Sequence, residues 1–418
     1  MISLLNNQNT FTSKEKIISE QFSKNVKLHK TFIKSQENLS STRFIQNTVT
    51  NWVPKAVFAR SLADLGDITF LEFFESIIFF FAYPLLGEKI ARNKIFSKFL
   101  PKENRQELNK NLARSADDLL KDSKLVKSGA TKRLLPVKAA IILSCATIPA
   151  LEYGLSFAKN LFTLKVFKKS NFNNIASLNK SEGETSEQQE RVRKSAIKNL
   201  KKVGIFSGGS ILASLLLAGY GHKSKILQNI SRVILQPGLE ISKVLKIKSP
   251  KVRKALDTYV NTDFNFSNGK FSLGKGQLAI TAITGLLGYS AAANDRGKLD
   301  KKEVWTRVPV VMLYTIFGSA LFDNAFKRIL YKQGKYPELI QKDANGNFKD
   351  VPALKDLPEI AQKIAKKNNS NYNKELETLI KQKSKIMAVP YGFSLIFMGF
   401  LLAGISRIWT QYRYNHSK

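Results

Sequence analysis

Apolar residues along the 418-residue chain gather into islands, separated by stretches that are rich in Lys and Asn. Each island is roughly 16 to 22 residues long, close to the length that an α-helix needs to cross a bilayer. A soluble protein would spread its apolar residues more evenly. The sequence therefore predicts an all-α, polytopic helical membrane protein with about six transmembrane helices. The predicted spans are 68–86, 136–157, 203–220, 278–293, 308–326 and 387–409.

The islands are not equally good spans. Island 278–293 is short and rich in Ala and Gly, whereas 387–409 is the longest and purest. An excess of Lys and Arg on the cytoplasmic side normally sets the orientation of a membrane protein. Here Lys and Arg near the island ends are about equally numerous on the two sides, so the orientation stays open. Island 278–293 is the first to be doubted.

The polar connections carry helix and turn signals of their own. Residues 101–126 begin with a proline and place leucines near helical spacing. This pattern predicts an amphipathic helix, which either packs on the protein's own loops or lies in the lipid headgroup plane. Two Asn-Gly pairs, Asn268-Gly269 and Asn345-Gly346, predict one or two small β-hairpins, because a tight turn needs positive φ at both central residues.

The alternation of islands and connections divides the chain into segments. No helix breaker interrupts 188–203, so one helix is predicted to run from a polar connection into the third island. In chain order the segments are a polar helical N-terminal region (1–60), the first two spans with an amphipathic connecting helix (61–157), a charged helical connection (158–202), the third span (203–220), extramembrane helices and a hairpin (221–276), the fourth and fifth spans (277–326), a polar helical connection (327–386), and the sixth span with a basic tail (387–418).

The formal net charge of +35 suggests a partner that carries phosphates. The basic residues are spread over every hydrophilic segment rather than clustered, which a general bias toward Lys explains at least as well. The predicted partner is the lipid bilayer, with anionic lipid, protein partners or self-association as alternatives. A nucleic-acid partner is disfavoured.

The N-terminus and the cysteine content bear on the compartment. Residues 1–12 lack a basic start followed by an apolar run, so we expect an integral membrane protein without a cleaved signal peptide. Cys145 is the only cysteine and lies within the second island. We interpret it as a small buried apolar residue rather than a nucleophile.

Ionisable residues inside the islands are the strongest functional candidates, because a charge there costs at least a few kcal/mol and tends to face a partner or water. Glu72 and Glu75 stand three residues apart, so they share one helix face. They could form a proton or cation site, or they could snorkel, cap or pair structurally near an interface. The candidate intramembrane ionisable site comprises Glu72, Glu75, Glu152, Asp323 and Lys138.

Small residues four positions apart form a second theme, because such spacing lets helix backbones approach closely in lipid. Similar short sequence motifs at the ends of islands 203–220 and 387–409 also suggest a duplication of two three-span halves. This arrangement is found among secondary transporters. The predicted helix-packing residues are Gly204, Gly208, Ser214, Ala218, Gly399 and Ala403.

Searches for enzyme motifs return nothing that fits. The three histidines form no His-Glu-x-x-His pattern, and the sequence contains no phosphate-binding Gly-Lys-Ser/Thr loop. No catalytic, cofactor or metal residue is therefore predicted. The leading hypothesis is a non-enzymatic multi-pass membrane protein that binds partners or organises the membrane. The alternative is a secondary transporter or channel that uses the carboxylates of the first span.

Overall fold

The structure, a computed structural model of the chain, describes residues 24–37, 41–178, 183–265, 272–273, 275–344 and 346–416. Helices dominate, as the sequence predicts. The first ten are α1 (Lys24–Glu37), α2 (Ser41–Val57), α3 (Leu62–Ile77, continued by a π-helical run Ile78–Ile95 and a short turn Phe96–Phe99), α4 (Arg105–Asn111), α5 (Ala116–Lys121), α6 (Ser123–Lys127), α7 (Thr131–Cys145), α8 (Thr147–Phe167), α9 (Phe172–Ile175) and α10 (Ser186–Tyr220).

The second half of the chain begins with short helices and one small strand pair. After a turn at Gly221–Lys223 come α11 (Lys225–Leu235), α12 (Pro237–Val244), α13 (Pro250–Tyr259), β1 (Phe264–Asn265), β2 (Ser272–Leu273), α14 (Lys275–Arg296), α15 (Lys298–Leu313, continued by a π-helical turn Tyr314–Gly318), α16 (Ser319–Lys332), a turn Leu354–Asp356, α17 (Leu357–Asn368), α18 (Tyr372–Phe393, continued by a π-helical run Ser394–Leu401) and α19 (Leu402–Asn415).

Strand β1 pairs with β2 in antiparallel register, with Phe264 opposite Leu273. The predicted turn at Asn268-Gly269 lies outside the described residues. Near the second predicted turn, Lys342 and Phe348 form a single antiparallel bridge.

Four helices in the described part are long and apolar enough to cross a membrane. They cover Thr131–Phe167, Ser186–Lys223, Lys298–Lys332 and Tyr372–Asn415, and they contain the second, third, fifth and sixth islands. The first and fourth islands are helical as well, but they are not among these four.

The membrane-length helices differ in how they are covered by protein. Most of the apolar stretch in Thr131–Phe167 is buried, whereas most of it in the other three is partly or fully exposed. Exposed side chains such as Ile205, Leu321 and Ile408 give these helices apolar surfaces. Exposed apolar side chains on helices of membrane length are consistent with contact with lipid.

The chain divides into two compact units. The first unit contains the described residues of 1–38 together with 319–394, and the second contains those of 39–318 and 395–418. The first unit has its own apolar core, built from α1, α16, α17, α18 and the connection between α16 and α17. A buried ion pair between Lys383 and Glu37, 2.7 Å apart, joins α18 to α1 within this unit.

Helices of the second unit pack in alternating directions around α7 and α8. Tyr153 donates a hydrogen bond to Asn199, and Ser210 donates one to the Leu143 carbonyl, so α10 runs antiparallel to α7 and α8. Helix α3 is also antiparallel to α8, because Gly66 lies against Phe167 near the opposite ends of the two helices. Helix α14 runs parallel to α8, because Tyr289 contacts Glu152 and Ala292 contacts Asn160 further along both helices.

Three short helices, α4 to α6, cover most of 101–126 in place of the single helix predicted. A new helix begins twice in this segment, because the side chains of Ser115 and Asp122 accept hydrogen bonds from backbone amides and cap the N-termini of α5 and α6. Leu108, Leu112 and Leu119 are buried in the same core cluster as residues of α7. This connection therefore packs on its own protein.

Glu184 organises the connection between α8 and α10. Its carboxylate accepts hydrogen bonds from the backbone amides of Ser170 and Asn171 and from the side chain of Asn174. Partial burial by itself raises the pKa of Glu184, but the hydrogen bonds from Ser170, Asn174 and the two amides outweigh burial and lower it.

We expect acid to loosen this connection. Because the pKa of Glu184 is lower in the folded protein, its contribution is complete above the unfolded value of about 4.3 and is lost as the pH falls through the folded value. Hydrogen-exchange protection at Ser170 and Asn171 should drop there, and Glu184→Gln should reduce it already at pH 7. Exposed Glu187 serves as the control, because Glu187→Gln should leave both amides protected.

Candidate functional site

Three glutamates from two helices meet inside the second unit. Glu72 of α3 is buried and forms an ion pair with Lys55. Glu152 of α8 is 2% exposed, and its Oε1 atom accepts a hydrogen bond of 2.7 Å from the hydroxyl of Tyr289 on α14. Glu75 lies beside both glutamates and the same phenol. We call Glu72, Glu75, Glu152 and Tyr289 the glutamate cluster.

The charges in the glutamate cluster do not balance. Within the described part of the chain, the ion pair to Lys55 is the only one that these glutamates make. Oε2 of Glu152 is buried and has no hydrogen-bond partner among the described residues. Three carboxyl groups therefore share one lysine and one phenol in the described part of the chain.

A buried polar stripe on α8 leads away from the glutamate cluster. Ser156, Asn160 and Thr163 follow Glu152 at helical spacing and share its face. All three are buried, and the hydroxyl of Ser156 has no hydrogen-bond partner in the described part of the chain. At 1.5 Å per residue the stripe covers about 16 Å of the helix axis. It connects the cluster with one end of the bundle.

A buried charge network lies at that end. Arg296, the last residue of α14, donates to Asp67 at 2.6 Å and to Asn160 at 3.1 Å through Nη1. Asn160 also donates to the Ala292 carbonyl, so the ends of α8 and α14 lie together and the two helices are parallel. The network consists of Arg60, Asp64, Asp67, Lys159, Arg296, Asp300, Glu303 and Arg407.

The charge network, unlike the glutamate cluster, contains equal numbers of acidic and basic groups. Arg407 of α19 lies 2.7 Å from Glu303 and 3.3 Å from Asp64, and Lys159 lies 3.3 Å from Asp67. Together these pairs connect α3, α8, α14, α15 and α19. Ion pairs of this kind hold elements in register, and removing one partner is costly.

Two predicted site residues lie elsewhere. Lys138 is buried 3.0 Å from Asp263 and donates to the Leu112 carbonyl, so it fastens the connection before α7 to the start of β1. Asp323 is partly exposed and pairs with Lys327 one turn later on the same helix, at 2.7 Å. Neither residue belongs to the glutamate cluster.

The predicted helix-packing residues also separate. A Cβ added at Gly204 or Gly208 would meet nothing within 4 Å, so no described helix approaches them closely. Ser214 and Ala218, on the same helix, are buried. Gly399 and Ala403 lie in contact with protein as well: a Cβ at Gly399 would come within 2.9 Å of Pro54, and Ala403 is buried.

Sequence reasoning missed Tyr289, Ser156 and Asn160. The spacing from Glu152 to Ser156 and Asn160 is four residues each time, which is a helical signal visible in the sequence. No such signal pointed to Tyr289, because its partner lies 137 positions away.

Comparisons with protein family models, with curated proteins and with solved structures found no match to this chain.

Proposed function

We propose that this chain is a multi-pass membrane protein that moves protons through the glutamate cluster, as a proton-coupled transporter or a proton channel does. The observation that carries the proposal is that Glu75 and Glu152 meet at Tyr289 without an ion pair in the described part of the chain. A buried carboxylate without a cation is costly, and protonation removes that cost. A carboxyl group that gains and loses a proton inside a helical bundle is what a proton pathway needs.

A metal cation is less well supported than a proton. Among the described residues, no group of three or more His, Cys, Asp or Glu could hold a metal ion. The polar stripe from Glu152 to Thr163 supplies hydroxyl and amide groups for proton transfer toward one end of the bundle. Ser156, whose hydroxyl lacks a described partner, lies one turn from Glu152 and would be the first member of that pathway.

The six-span arrangement is part of this proposal. Successive membrane crossings alternate in direction, and the helices of the second unit follow this rule. Helix α3 opposes α8, α10 opposes α8 as well, and α14 returns parallel to α8. Trp305 donates to Ser290, which supports an antiparallel α14 and α15. Helices α3 and α14 would then supply the first and fourth crossings.

Proton flux into proteoliposomes tests the proposed function. Vesicles that contain the full-length protein and an entrapped pH-sensitive dye should acidify under an imposed potential. Glu75→Gln with Glu152→Gln should reduce the rate at least about tenfold, because amides cannot exchange the proton. The matched control is Asp323→Asn, which removes a carboxylate from a membrane-length helix outside the cluster and should leave the rate unchanged.

Two outcomes would contradict proton movement. The parent vesicles could hold their gradient, or the glutamine variants could conduct as fast as the parent. Gel filtration and thermal unfolding of each variant separate a loss of flux from a loss of fold.

A static binding or membrane-organising component is the second candidate. The charge network favours it, because balanced, buried ion pairs across five helices make a rigid frame. Under this alternative the parent vesicles hold their gradient, and the helices outside the apolar islands bind the partners.

A further inference from the structure

Residues 221–260 begin where a membrane-length helix ends. The helix Ser186–Lys223 leads directly into α11, which starts at Lys225. Gly221 is buried against Pro136, where an added Cβ would come within 2.4 Å of the proline Cβ, so the chain turns tightly there. Helix α11 therefore begins within a few residues of the end of this membrane-length helix.

One face of α11 and α12 is fixed to the protein. Ser231 and Leu235 of α11 are buried, and Leu235 belongs to the same core cluster as residues of α7. Gly238 and Ser242 of α12 are buried too. An added Cβ at Gly238 would come within 2.1 Å of the Leu256 carbonyl oxygen, so α12 and α13 are in close contact.

Exposed apolar side chains also occur at helical spacing on both helices. Ile226, the first of these on α11, is 71% exposed, and Val244 on α12 is 80% exposed. The spacings, i, i+4, i+7 on α11 and i, i+3, i+4 on α12, each form one stripe. We define this surface, the amphipathic surface, by its apolar residues Ile226, Ile230, Val233, Ile241, Val244 and Leu245.

The segment that carries the amphipathic surface is strongly basic. Residues 221–260 contain nine Lys or Arg and two acidic residues, so their formal net charge is +7. One of the two acidic residues, Glu240, is paired with Lys243 at 2.5 Å. The basic residues are Lys223, Lys225, Arg232, Lys243, Lys246, Lys248, Lys251, Arg253 and Lys254.

We propose that the amphipathic surface lies in the lipid headgroup layer and binds anionic phospholipid. Apolar side chains at the end of a span reach the acyl chains, while the Lys and Arg of the same segment attract anionic headgroups. A nucleic-acid partner would use the charge but not the apolar stripes, and a general protein partner would not explain the excess of positive charge. The proposal does not depend on proton movement through the glutamate cluster.

Fluorescence in nanodiscs tests whether the amphipathic surface lies in the lipid headgroup layer. A single cysteine at position 230, introduced as Ile230→Cys in a Cys145→Ala background, carries an environment-sensitive dye. In nanodiscs that contain anionic phosphatidylglycerol, the emission should shift to the blue, and brominated lipids should quench it. A label introduced by Lys363→Cys, at an exposed position of α17, should do neither.

Charge reversal tests the preference for anionic lipid. Lys246→Glu, Lys248→Glu and Lys251→Glu together should lower the enrichment of phosphatidylglycerol over phosphatidylcholine at least about tenfold, measured by mass spectrometry of bound lipid. The matched control reverses Lys363, Lys366 and Lys367 of α17, which are also exposed, and should have little effect. Both triple variants should keep the proton flux of the parent.

Three results would overturn the inference. The label at position 230 could stay in water in anionic nanodiscs. It could be quenched equally in purely zwitterionic nanodiscs with no enrichment of anionic lipid. The control on α17 could lose as much anionic lipid as the variant in 221–260, which would make the effect one of total charge.

Discussion

Replacement of Arg296 by glutamine is expected to lower the free energy of unfolding by about 3–5 kcal/mol. Arg296 is 2% exposed, and it holds Asp67 at 2.6 Å and Asp300 at 3.5 Å. Removing it leaves two buried carboxylates with too few cations, and it also removes a hydrogen bond to Asn160. Titration of the purified protein with a denaturing detergent measures the loss.

Two further variants define what Arg296 contributes. Lys298→Gln removes a positive charge two residues later, where the side chain is exposed, and should change stability by less than about 0.5 kcal/mol. Arg296→Lys keeps the charge but lacks the planar guanidinium, so its stability should fall between those of the parent and the glutamine variant. If Arg296→Gln were as mild as Lys298→Gln, the charge network would not hold these helices together.

Gly288→Ala is expected to be the second damaging change, at about 1–3 kcal/mol. An added Cβ at Gly288 would lie 2.6 Å from the backbone oxygen of Tyr153 and 2.8 Å from its Cα. Both atoms belong to the backbone of α8, so α14 itself must move away. Because Tyr289 is the next residue, its hydrogen bond to Glu152 should weaken, and proton flux should fall with stability.

Gly204→Ala is the matched control for this prediction. It makes the same chemical change within a helix, but an added Cβ there meets no atom of the described residues within 4 Å. Alanine costs less backbone entropy than glycine in a helix, so Gly204→Ala should be neutral or stabilising by up to about 1 kcal/mol. Equal losses from both alanine variants would show that α8 and α14 do not pack as closely as described.

Gly204 and Gly288 also show what the four-residue spacing of small residues can and cannot predict about helix packing. Both glycines precede another small residue by four positions, Gly208 and Ala292, so the sequence gives them similar weight. In the structure an added Cβ at Gly288 would meet the backbone of α8, while one at Gly204 would meet no described atom within 4 Å. The spacing of small residues indicates that another helix could approach closely at this position. Whether a helix does so depends on the tertiary packing.

The residues of the candidate site also differ in how far the sequence could group them. Glu72 and Glu75 could be paired from the sequence, because three residues of one helix fix their common face. Glu152 stood out only as an ionisable residue in an island, with nothing to associate it with the first span. Lys138 and Asp323 were predicted on the same ground, as ionisable residues in islands. In the structure Lys138 pairs with Asp263 and Asp323 pairs with Lys327, so neither joins the glutamate cluster.

The sequence by itself determined the local properties of this protein: helices, apolar stretches of membrane length, and carboxylates placed where water is scarce. These follow from residue type and from spacings of a few positions, which covalent geometry converts into helix faces. Tertiary structure alone decided which charges are neutralised. Arg296 and Asp67 are 229 positions apart, and Tyr289 and Glu152 are 137 apart. Only the packing of helices brings such distant groups within hydrogen-bond reach. It balances the charge network with four cations and leaves Glu75 and Glu152 to share a phenol.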